Sequence, residues 1–445
     1  MQPWWQRAVL YQAYVRSFAD SNGDGVGDLR GVIDKLDYLQ WLGVDGVWLS
    51  PIYPSPNADW GYDVADYRGV HEELGTLDDL DRLIATANER GIEIVLDLVP
   101  GHTSDRHAWF SDPSKRDSYI WADEPAEGES VFGGSAWTER DGAWYYHKFL
   151  PEQPNLNWFN DEVRAAFDEI VRYWFDRGVA GFRIDVAHDF VRDAHDVARR
   201  EVAHEVLRRW RRIADAYDPP RVLIGETWID DLTELMTFYG ERDELHMAFN
   251  FPFLFSTLER LPDVVAATEA ALPADAWPVW TLSNHDVVRF PTRMCGGDER
   301  KVRLALLALL TIRGTVVLYQ GDELGLEQID VPPAAARDVA GRDGARAPMP
   351  WNGGWTNPWL PLGGGTSVAA QRDDPASVLA FTRELITRRR ATPDLLEAPY
   401  EAVDAPAAVW AYRRGATVVA LNLSDEAARF DGHELPPWAG LLLDV

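Results

Sequence analysis

Eight short apolar runs, separated by amphipathic segments, constrain the fold of this 445-residue chain more than any other feature. The runs are rich in Val, Ile, Leu and aromatic residues, as expected of strands that are covered on both faces. The predicted strands are residues 8–15, 46–50, 93–99, 181–186, 222–228, 246–250, 279–283 and 315–320. Eight parallel strands alternating with helices close a (β/α)8 barrel, the TIM barrel of the α/β class. An open doubly wound sheet is the alternative, but no Gly-x-Gly-x-x-Gly follows a predicted strand.

Two segments interrupt the alternation. About fifty residues, rich in Trp, Tyr, Gly and Pro, separate the third strand from a helix that Asn160 is predicted to cap. Beyond residue 391 short apolar runs and turn residues predict a small antiparallel β-domain. The predicted organisation is therefore a barrel of residues 1–101 and 157–393, an inserted domain of residues 102–156, and a C-terminal β-domain of residues 394–445.

Charge excludes several classes of partner. The chain has 43 Lys and Arg against 72 Asp and Glu, a net charge of −29. Such a chain repels nucleic acid and anionic membrane surfaces. Cys295 is the single cysteine, so no intrachain disulfide forms, and neither a signal peptide nor a run of about 20 apolar residues is recognised. We therefore expect a cytoplasmic protein of undetermined oligomeric state.

The ends of the predicted strands carry acids. Asp97 ends the third strand, Arg183 and Asp185 share one face of the fourth, and Glu226 ends the fifth. We expect Arg183 to lower the pKa of Asp185, as suits a nucleophile, and the apolar Trp228 to raise the pKa of Glu226, as suits a proton donor. Two such carboxyls match glycoside hydrolysis. From these residues alone, a structural ion pair of Arg183 and Asp185 is an equal alternative.

An acidic loop, residues 20–28, follows the first predicted strand. It places oxygen donors on alternate residues with glycines between them, a pattern suited to Ca²⁺. The predicted ligands are Asp20, Asn22, Asp24, Val26 through its carbonyl, and Asp28. Gly31 stands where an EF-hand has its bidentate Glu, so the loop is not an EF-hand. A solvated turn is the alternative.

Four separated motifs resemble those of the α-amylase family (glycoside hydrolase family 13), in particular its α-glucosidase and oligo-1,6-glucosidase branch. They are Asp97-Leu98-Val99-Pro100-Gly101-His102, Gly181-Phe182-Arg183-Ile184-Asp185, Gly225-Glu226 and Asn284-His285-Asp286. A further likeness is Gln153-Pro154-Asn155-Leu156-Asn157-Trp158 at the end of the predicted insert.

The resemblance implies Asp185 as nucleophile, Glu226 as general acid/base and Asp286 as a third carboxylate that binds sugar hydroxyls. It further implies a glucose pocket whose lining residues are Tyr62, Asp63, His102, Arg183 and His285. Arg342 resembles the family arginine that closes the pocket, with Asp63 as its expected partner. Arg289 is expected on the leaving-group side. The acidic loop matches the branch's metal loop, which implies Ca²⁺, or Mg²⁺ in its place.

Three departures from the family pattern bear on the site. Gly101 replaces the usual Asn, whose amide helps to anchor the inserted domain. The segment of residues 328–340 is shorter than is usual in the branch, and the C-terminal domain is small. Both features imply an open leaving-group side. Val186 after the nucleophile goes with α-1,6 preference in the branch, although one residue does not fix the linkage.

The expected activity is that of a retaining, exo-acting α-glucosidase on short oligosaccharides, with transglucosylation. The carboxyls of Asp185 and Glu226 are expected about 5–5.5 Å apart, the retaining separation. Sucrose hydrolysis or isomerisation and other α-glucosyl transfer use the same three acids and remain alternatives. A non-catalytic sugar-binding homologue is a remote one, since such proteins lack part of the carboxylate set.

Overall fold

The computed structural model describes residues 3–193, 195 and 197–444. Its main sheet has eight strands, all joined by parallel pairing: β1 (Val9–Ala13), β2 (Gly46–Leu49), β3 (Glu93–Leu98), β7 (Gly181–Ile184), β8 (Val222–Gly225), β9 (Met247–Ala248), β10 (Val279–Thr281) and β11 (Thr315–Tyr319). Pairing of β1 with β11 and a parallel bridge from Phe249 to Val279 nearly close the sheet. The predicted TIM barrel is confirmed, and each of the eight predicted runs contains one strand.

Helices surround the barrel. The longest are α4 (Leu77–Asn88), α6 (Asp161–Asp176), α7 (Arg200–Asp215), α10 (Leu261–Ala271), α12 (Glu299–Thr311) and α14 (Val378–Ala391). Shorter helices are α1 (Trp4–Arg7), α2 (Leu29–Asp34), α3 (Leu36–Leu42), α5 (Ala108–Ser111), α8 (Leu232–Thr237), α9 (Phe251–Leu254), α11 (Phe290–Arg293), α13 (Val368–Arg372) and α15 (Pro393–Glu397). As predicted, Asn160 caps α6 by accepting a hydrogen bond from the Glu162 N–H. The apolar stripe of residues 29–39 forms two helices, because the backbone leaves helical geometry at Lys35.

Neighbouring strands align the acids at one end of the barrel. Asp97 of β3 pairs in register with Arg183 of β7, and Arg183 pairs with Ile224 of β8. Asp185 and Glu226 therefore follow directly where these strands end. Because parallel strands share a direction, side chains distant in sequence meet at the carboxyl-terminal rim, where TIM-barrel sites form.

The insert between β3 and α6 forms its own antiparallel sheet of β4 (Trp121–Ala122), β5 (Trp137–Arg140) and β6 (Ala143–Tyr146). Its two ends meet at a bridge between His102 and Asn155. The Gly101 carbonyl accepts hydrogen bonds from the Leu156 N–H at 3.0 Å and the Asn155 amide at 3.1 Å. These bonds hold the insert through the backbone at the position where the family's Asn is absent.

The chain ends in an antiparallel sheet of β12 (Glu401–Val403), β13 (Val409–Arg414), β14 (Thr417–Asn422) and β17 (Gly440–Asp444), with a separate hairpin of β15 (Ala428–Phe430) and β16 (His433–Leu435). The border predicted between residues 393 and 394 falls inside α15. Side chains of this region pack on the barrel: the Arg414 guanidinium donates to the Thr311 carbonyl at 3.0 Å. Among the described helices, none combines the length and apolarity needed to cross a membrane.

Candidate active site

A cavity of about 330 Å³ opens at the carboxyl-terminal rim of the barrel, beneath the insert. This volume lies at the small end of the range for ligand pockets, about 300–1,000 Å³. The barrel contributes Asp59, Tyr62, Asp185, Val186, His188, Glu226, Trp228, Asp286 and Arg342. The insert contributes His102, Val131, Phe132, Lys148 and Phe149. All three predicted catalytic acids therefore line one cavity.

Arg183 joins three acids beneath this cavity. One terminal nitrogen of its guanidinium donates to both Asp97 and Asp185 at 2.7 Å, and the other lies 2.6 Å from Glu226. All four side chains are buried. One positive charge thus faces three carboxyls, so full ionisation of the cluster would leave an uncompensated negative charge in a medium of low dielectric.

The expected lowering of the Asp185 pKa is wrong in direction. Burial raises the pKa of Asp185 well above its usual value, and the neighbouring Glu226 and Asp97 add to this effect, while Arg183 opposes it. Burial likewise raises the pKa of Asp97 to about 7 against the pull of Arg183. The sequence placed one cation beside one acid, whereas the fold gathers three acids around that cation. The cluster therefore retains a proton at pH values where isolated carboxyls have lost theirs.

Glu226 is held by three donors. The Trp228 indole N–H donates to one carboxylate oxygen at 2.9 Å, on the same oxygen that faces Arg183, and the Val186 N–H donates to the other at 2.8 Å. Trp228 was expected to act as an apolar neighbour, but it contacts Glu226 through its polar N–H. These contacts fix the orientation of the carboxyl toward the cavity.

Val186 has a left-handed backbone with φ 45°. This conformation is unfavourable for a β-branched residue, and such strain persists where surrounding structure enforces it. Here it turns the Val186 N–H toward Glu226 immediately after the neighbouring Asp185. The strained residue therefore links the two acids of the proposed reaction, which the sequence motif alone did not indicate.

Asp286 has the opposite electrostatic environment from Asp185. One oxygen lies 3.1 Å from both Arg342 and Arg346, and the other lies 3.1 Å from His285. Burial alone would raise the pKa of Asp286, but the contact with His285 and the positive charges of Arg342 and Arg346 outweigh it and hold that pKa well below the usual range. Asp286 is therefore ionised at neutral pH and can accept hydrogen bonds from sugar hydroxyls.

The rings of Tyr62 and His285 are nearly parallel beside this acid, with centroids 5.3 Å apart, and the Tyr62 hydroxyl lies 2.6 Å from His285 Nε2. The Gln12 amide nitrogen lies 2.8 Å from Nδ1 of the same ring, which identifies Nδ1 as the acceptor and Nε2 as the protonated nitrogen. Burial lowers the His285 pKa to about 3, so the ring is neutral. The ring therefore orients neighbouring groups instead of titrating near neutral pH.

The acid paired with Arg342 is Asp59, and the expectation of Asp63 is wrong. The Arg342 guanidinium lies 2.5 Å from Asp59 and also contacts Asp338 and Asp286. Asp63 instead accepts hydrogen bonds from the Ser55 hydroxyl and from the N–H groups of Ala58 and Asp59. Asp63 thus holds the loop that presents Asp59. The sequence signal that could have found Asp59 is its closeness to the predicted pocket residues Tyr62 and Asp63, since it lies three residues before Tyr62.

Gln153 connects the insert to this wall. Its amide donates to Asp59 at 3.0 Å and lies 3.0 Å from His102 Nε2. Nδ1 of His102 is buried and has no hydrogen-bond partner among the described residues. Burial lowers the His102 pKa to about 4. A neutral imidazole therefore forms part of the cavity wall.

Arg289 does not reach the cavity, which corrects its expected place on the leaving-group side. Its buried guanidinium donates to the carbonyls of Gln320 at 2.8 Å and Ala345 at 2.9 Å. Ala345 precedes Arg346, which contacts Asp286. Arg289 therefore supports the backbone behind the site.

The acidic loop lies between β1 and α2, away from the cavity, and its acids accept hydrogen bonds from their own segment. Asp20 accepts from the N–H groups of Gly23 and Gly25, Asp24 from Val26, and Asp28 from Ser21 and from Gly31 at the start of α2. No group of three or more His, Cys, Asp or Glu within the described part of the chain is arranged to hold a metal ion. The donor set is nevertheless all oxygen, and each of the three carboxylates has at least one oxygen that accepts a single hydrogen bond and keeps a further lone pair, so the residues fit a hard cation.

Three buried carboxyls at the rim of a TIM barrel, two of them joined by one arginine, define the site of a glycoside hydrolase. Comparison with known proteins supports this assignment to the glycoside hydrolases. The model of the alpha amylase catalytic domain matches residues 12–398, and the chain belongs to the alpha-amylase family.

Individual relatives are similar over most of their length. A probable alpha-glucosidase of Rhizobium meliloti is 35% identical over 96% of this chain and 90% of its own. An oligo-1,6-glucosidase of Parageobacillus thermoglucosidasius is 36% identical over 87% of this chain and 84% of its own length. Among solved structures, an alpha-glucosyl transfer enzyme superposes with a TM-score of 0.94 at 35% identity, covering 99% of both chains.

Proposed function

We propose that the protein is a retaining, exo-acting α-glucosidase that releases single glucose units from the non-reducing ends of short α-glucosides. The observation that carries this proposal is the contact of Arg342 with Asp59 and Asp286, which closes one end of the cavity that Asp185 and Glu226 line. A polysaccharide chain cannot pass through a cavity that is closed at one end. The cavity therefore accepts a terminal sugar and leaves the rest of the substrate at the mouth.

In the proposed reaction Asp185 attacks the anomeric carbon while Glu226 protonates the departing oxygen. The anomeric carbon–oxygen bond breaks, and a glucosyl ester of Asp185 forms. Glu226, now a carboxylate, takes a proton from water as the water oxygen attacks the same carbon, which restores both acids and retains the α configuration. Ionised Asp286 accepts hydrogen bonds from the sugar hydroxyls.

The test is product analysis over time on maltose, isomaltose, sucrose, trehalose and maltotetraose, with NMR detection of the first-formed anomer. We expect α-glucose as the initial product and maltotriose as the first partner product of maltotetraose. Maltose in place of glucose as the first product from maltotetraose, or β-glucose as the first anomer, would contradict the proposal. Ranking the disaccharides by kcat/KM identifies the linkage preference.

Glucosyl transfer is the second candidate, because the solved alpha-glucosyl transfer enzyme has nearly the same fold over its whole length. Transfer uses the same ester of Asp185, and a sugar or other alcohol replaces water. Sucrose hydrolysis and isomerisation differ in the same way. The fraction of glucosyl units that appear in new glucosides, measured at increasing acceptor concentration, separates transfer from hydrolysis.

We also propose that Ca²⁺ binds the acidic loop through Asp20, Asn22, Asp24, the Val26 carbonyl and Asp28. The support is the all-oxygen donor set on alternate residues. Bound there, the cation would stabilise the loop and supply no catalytic chemistry. Calorimetric titration with Ca²⁺ and Mg²⁺ after chelation tests this, with Tm as a second readout. Absence of saturable binding in the wild type, or unchanged binding in Asp24→Ala, would contradict the proposal.

Cytoplasmic location remains a proposal as well, supported by the free and buried thiol of Cys295. Cell fractionation with activity and antibody detection tests it.

A further inference from the structure

Gln12 is a buried amide within a strand of apolar and aromatic residues, and the proposed reaction gives it no role. It lies in β1 with a relative exposure of 0% and does not line the cavity. Its amide nitrogen donates to the Ser50 hydroxyl oxygen at 3.2 Å and lies 2.8 Å from Nδ1 of His285. A buried amide is unfavourable unless such bonds compensate it. The direction of the amide is therefore set by these two contacts.

His285 stands behind two residues of the cavity wall. Its Nε2 lies 2.6 Å from the Tyr62 hydroxyl and 3.1 Å from a carboxylate oxygen of Asp286. Because Asp286 is ionised, Nε2 must present a hydrogen to it, and a neutral ring then has a bare Nδ1. The amide of Gln12 supplies the donor that this bare nitrogen requires.

The opposite orientation of the Gln12 amide would reverse this order. The amide carbonyl would then face Nδ1, which would need a hydrogen, and a bare Nε2 would face the negative charge of Asp286. In the observed orientation the Gln12 carbonyl oxygen is buried and has no hydrogen-bond partner among the described residues. The arrangement thus leaves one acceptor unsatisfied and fixes which nitrogen of His285 carries the proton.

The proton on Nε2 sets the direction of the bonds that follow. Because His285 donates to the Tyr62 oxygen, the Tyr62 hydroxyl can donate to Oδ2 of Asp97 at 3.1 Å. The other oxygen of Asp97 accepts from Arg183, the cation of the acid cluster. One continuous series of donors therefore runs from Gln12 in β1 to the carboxyls at the barrel rim.

Within the described part of the chain, Gln12 is the one hydrogen-bond partner of His285 Nδ1. Tyr14 stacks on the ring with centroids 5.8 Å apart, and Trp48 meets it edge-on at 6.2 Å. The Arg346 guanidinium donates to the backbone carbonyl of His285 and not to its ring. Loss of the Gln12 amide would therefore leave Nδ1 either unsatisfied or open to a second proton.

We propose that Gln12 is a positioning residue of the glucose pocket, because it holds His285 as the neutral ring that donates through Nε2 toward Tyr62 and Asp286. This inference rests on the proposed α-glucosidase function, in which Asp286 binds sugar hydroxyls. Gln12 touches neither the sugar nor the catalytic acids and acts only through His285. A hydrogen bond on one histidine nitrogen commonly determines the role of the other.

The first test is NMR of the whole protein with ¹⁵N-labelled histidine, which reports the protonation and hydrogen bonding of each ring nitrogen. The His285 signals are assigned by their loss in His285→Asn. In the wild type we expect an unprotonated, hydrogen-bonded Nδ1 and a protonated Nε2. In Gln12→Met, which has a similar length and no donor, the Nδ1 signal should shift, because this nitrogen loses its donor or gains a proton.

Ser50→Ala is the matched control, since it removes the other bond of the same amide and should leave the Nδ1 signal unchanged. A protonated Nδ1 in the wild type would overturn the proposal, and this measurement does not depend on a variant folding. An Nδ1 signal in Gln12→Met identical to that of the wild type would overturn it as well.

The second test separates control of His285 from general support of the barrel. We expect Gln12→Met to lower kcat/KM for the preferred disaccharide about tenfold, the scale of one buried hydrogen bond left unmade. In a His285→Asn background the same change should lower it less than twofold, because residues that act through one interaction are not additive. Ser50→Ala should stay within twofold of the wild type.

Equal losses in both backgrounds would assign Gln12 a structural role and overturn the proposal, as would an unchanged kcat/KM in Gln12→Met alone. If the wild type hydrolysed no α-glucoside, the proposed function itself would fail. That result is distinct from a protonated Nδ1, which would contradict the role of Gln12 and leave the proposed function intact.

Discussion

Two acidic regions of this protein look alike in the sequence and behave differently in the fold. The acidic loop carries Asp20, Asp24 and Asp28, and their carboxylates accept hydrogen bonds from N–H groups at most five residues away, apart from the bond of Ser21 to Asp28 across seven. At the barrel rim the acids instead pair across long separations, such as Asp97 with Arg183 and Asp59 with Arg342. Spacing along the chain cannot distinguish these cases.

The difference shows how the fold sets the pKa values of the acids that take part in the proposed reaction. A carboxylate satisfied by its own loop stabilises local structure. A carboxylate buried among distant partners has a pKa set by the whole cluster, raised for Asp185 and lowered for Asp286. Asp59 and Asp63 repeat the contrast within five residues, since the first pairs with Arg342 and the second with its own loop.

The largest expected effect is that of Asp185→Asn. The variant keeps the shape of the side chain but cannot form the glucosyl ester, so kcat should fall by about 10⁴-fold or more, as for other lost nucleophiles. Removing one of three clustered acids should leave Tm unchanged or higher. Steady-state kinetics and calorimetry measure both. The exposed Asp141→Asn is the control, and an active Asp185→Asn would refute the nucleophile.

The second prediction separates Asp59 from Asp63. Asp59→Asn leaves Arg342 without its charged partner and should lower kcat/KM by about 10²-fold, which corresponds to about 3 kcal/mol. Asp63→Asn keeps one acceptor oxygen and should cost about 1 kcal/mol of unfolding free energy with little loss of activity. Kinetics and urea unfolding of both variants provide the measurement. A larger activity loss in Asp63→Asn would reinstate the original expectation.

The third prediction concerns pH. Since the Asp97 pKa rises from 3.8 to about 7 on folding, the folded state holds a proton that the unfolded state releases between these values. The contribution of Asp97 to stability is therefore present below about pH 4 and decreases as pH rises toward 7. Asp97→Asn removes this dependence.

The measurement is urea unfolding of both proteins from pH 4 to 7. The free energy of unfolding of Asp97→Asn relative to wild type should increase across this range by about 3 kcal/mol. A difference that stays constant with pH would show that Asp97 does not hold the proton.

The smallest effect is expected in the acidic loop. Asp28→Ala removes the N-cap of α2 and the contact with Ser21, so unfolding free energy should fall by about 1 kcal/mol while kcat stays within twofold of wild type. Asp28→Asn, which retains a capping oxygen, is the control. A loss of activity that exceeds the loss of stability would show that this loop is coupled to the active site.

Much of the fold could be predicted because its signals are local. A buried strand needs a run of apolar residues, and a helix start needs a cap such as Asn160. Both signals lie in residues that are close together in the sequence. The resemblance of the four motifs to a known family likewise predicted Asp185, Glu226 and Asp286 as the acids of one site. The break at Lys35 has no such local signal, because apolar residues continue at helical spacing on both sides of it.

The sequence by itself determined the barrel, its insert, and which acids meet at its rim, since strand direction alone carries those residues to one end. Only the tertiary structure decided that Arg342 pairs with Asp59, that Arg289 binds backbone carbonyls behind the site, and that Asp185 gains a raised pKa. The physical reason is that an ion pair or a desolvated carboxyl depends on distance and burial in space. Partners separated by hundreds of residues produce no pattern that can be recognised in the sequence.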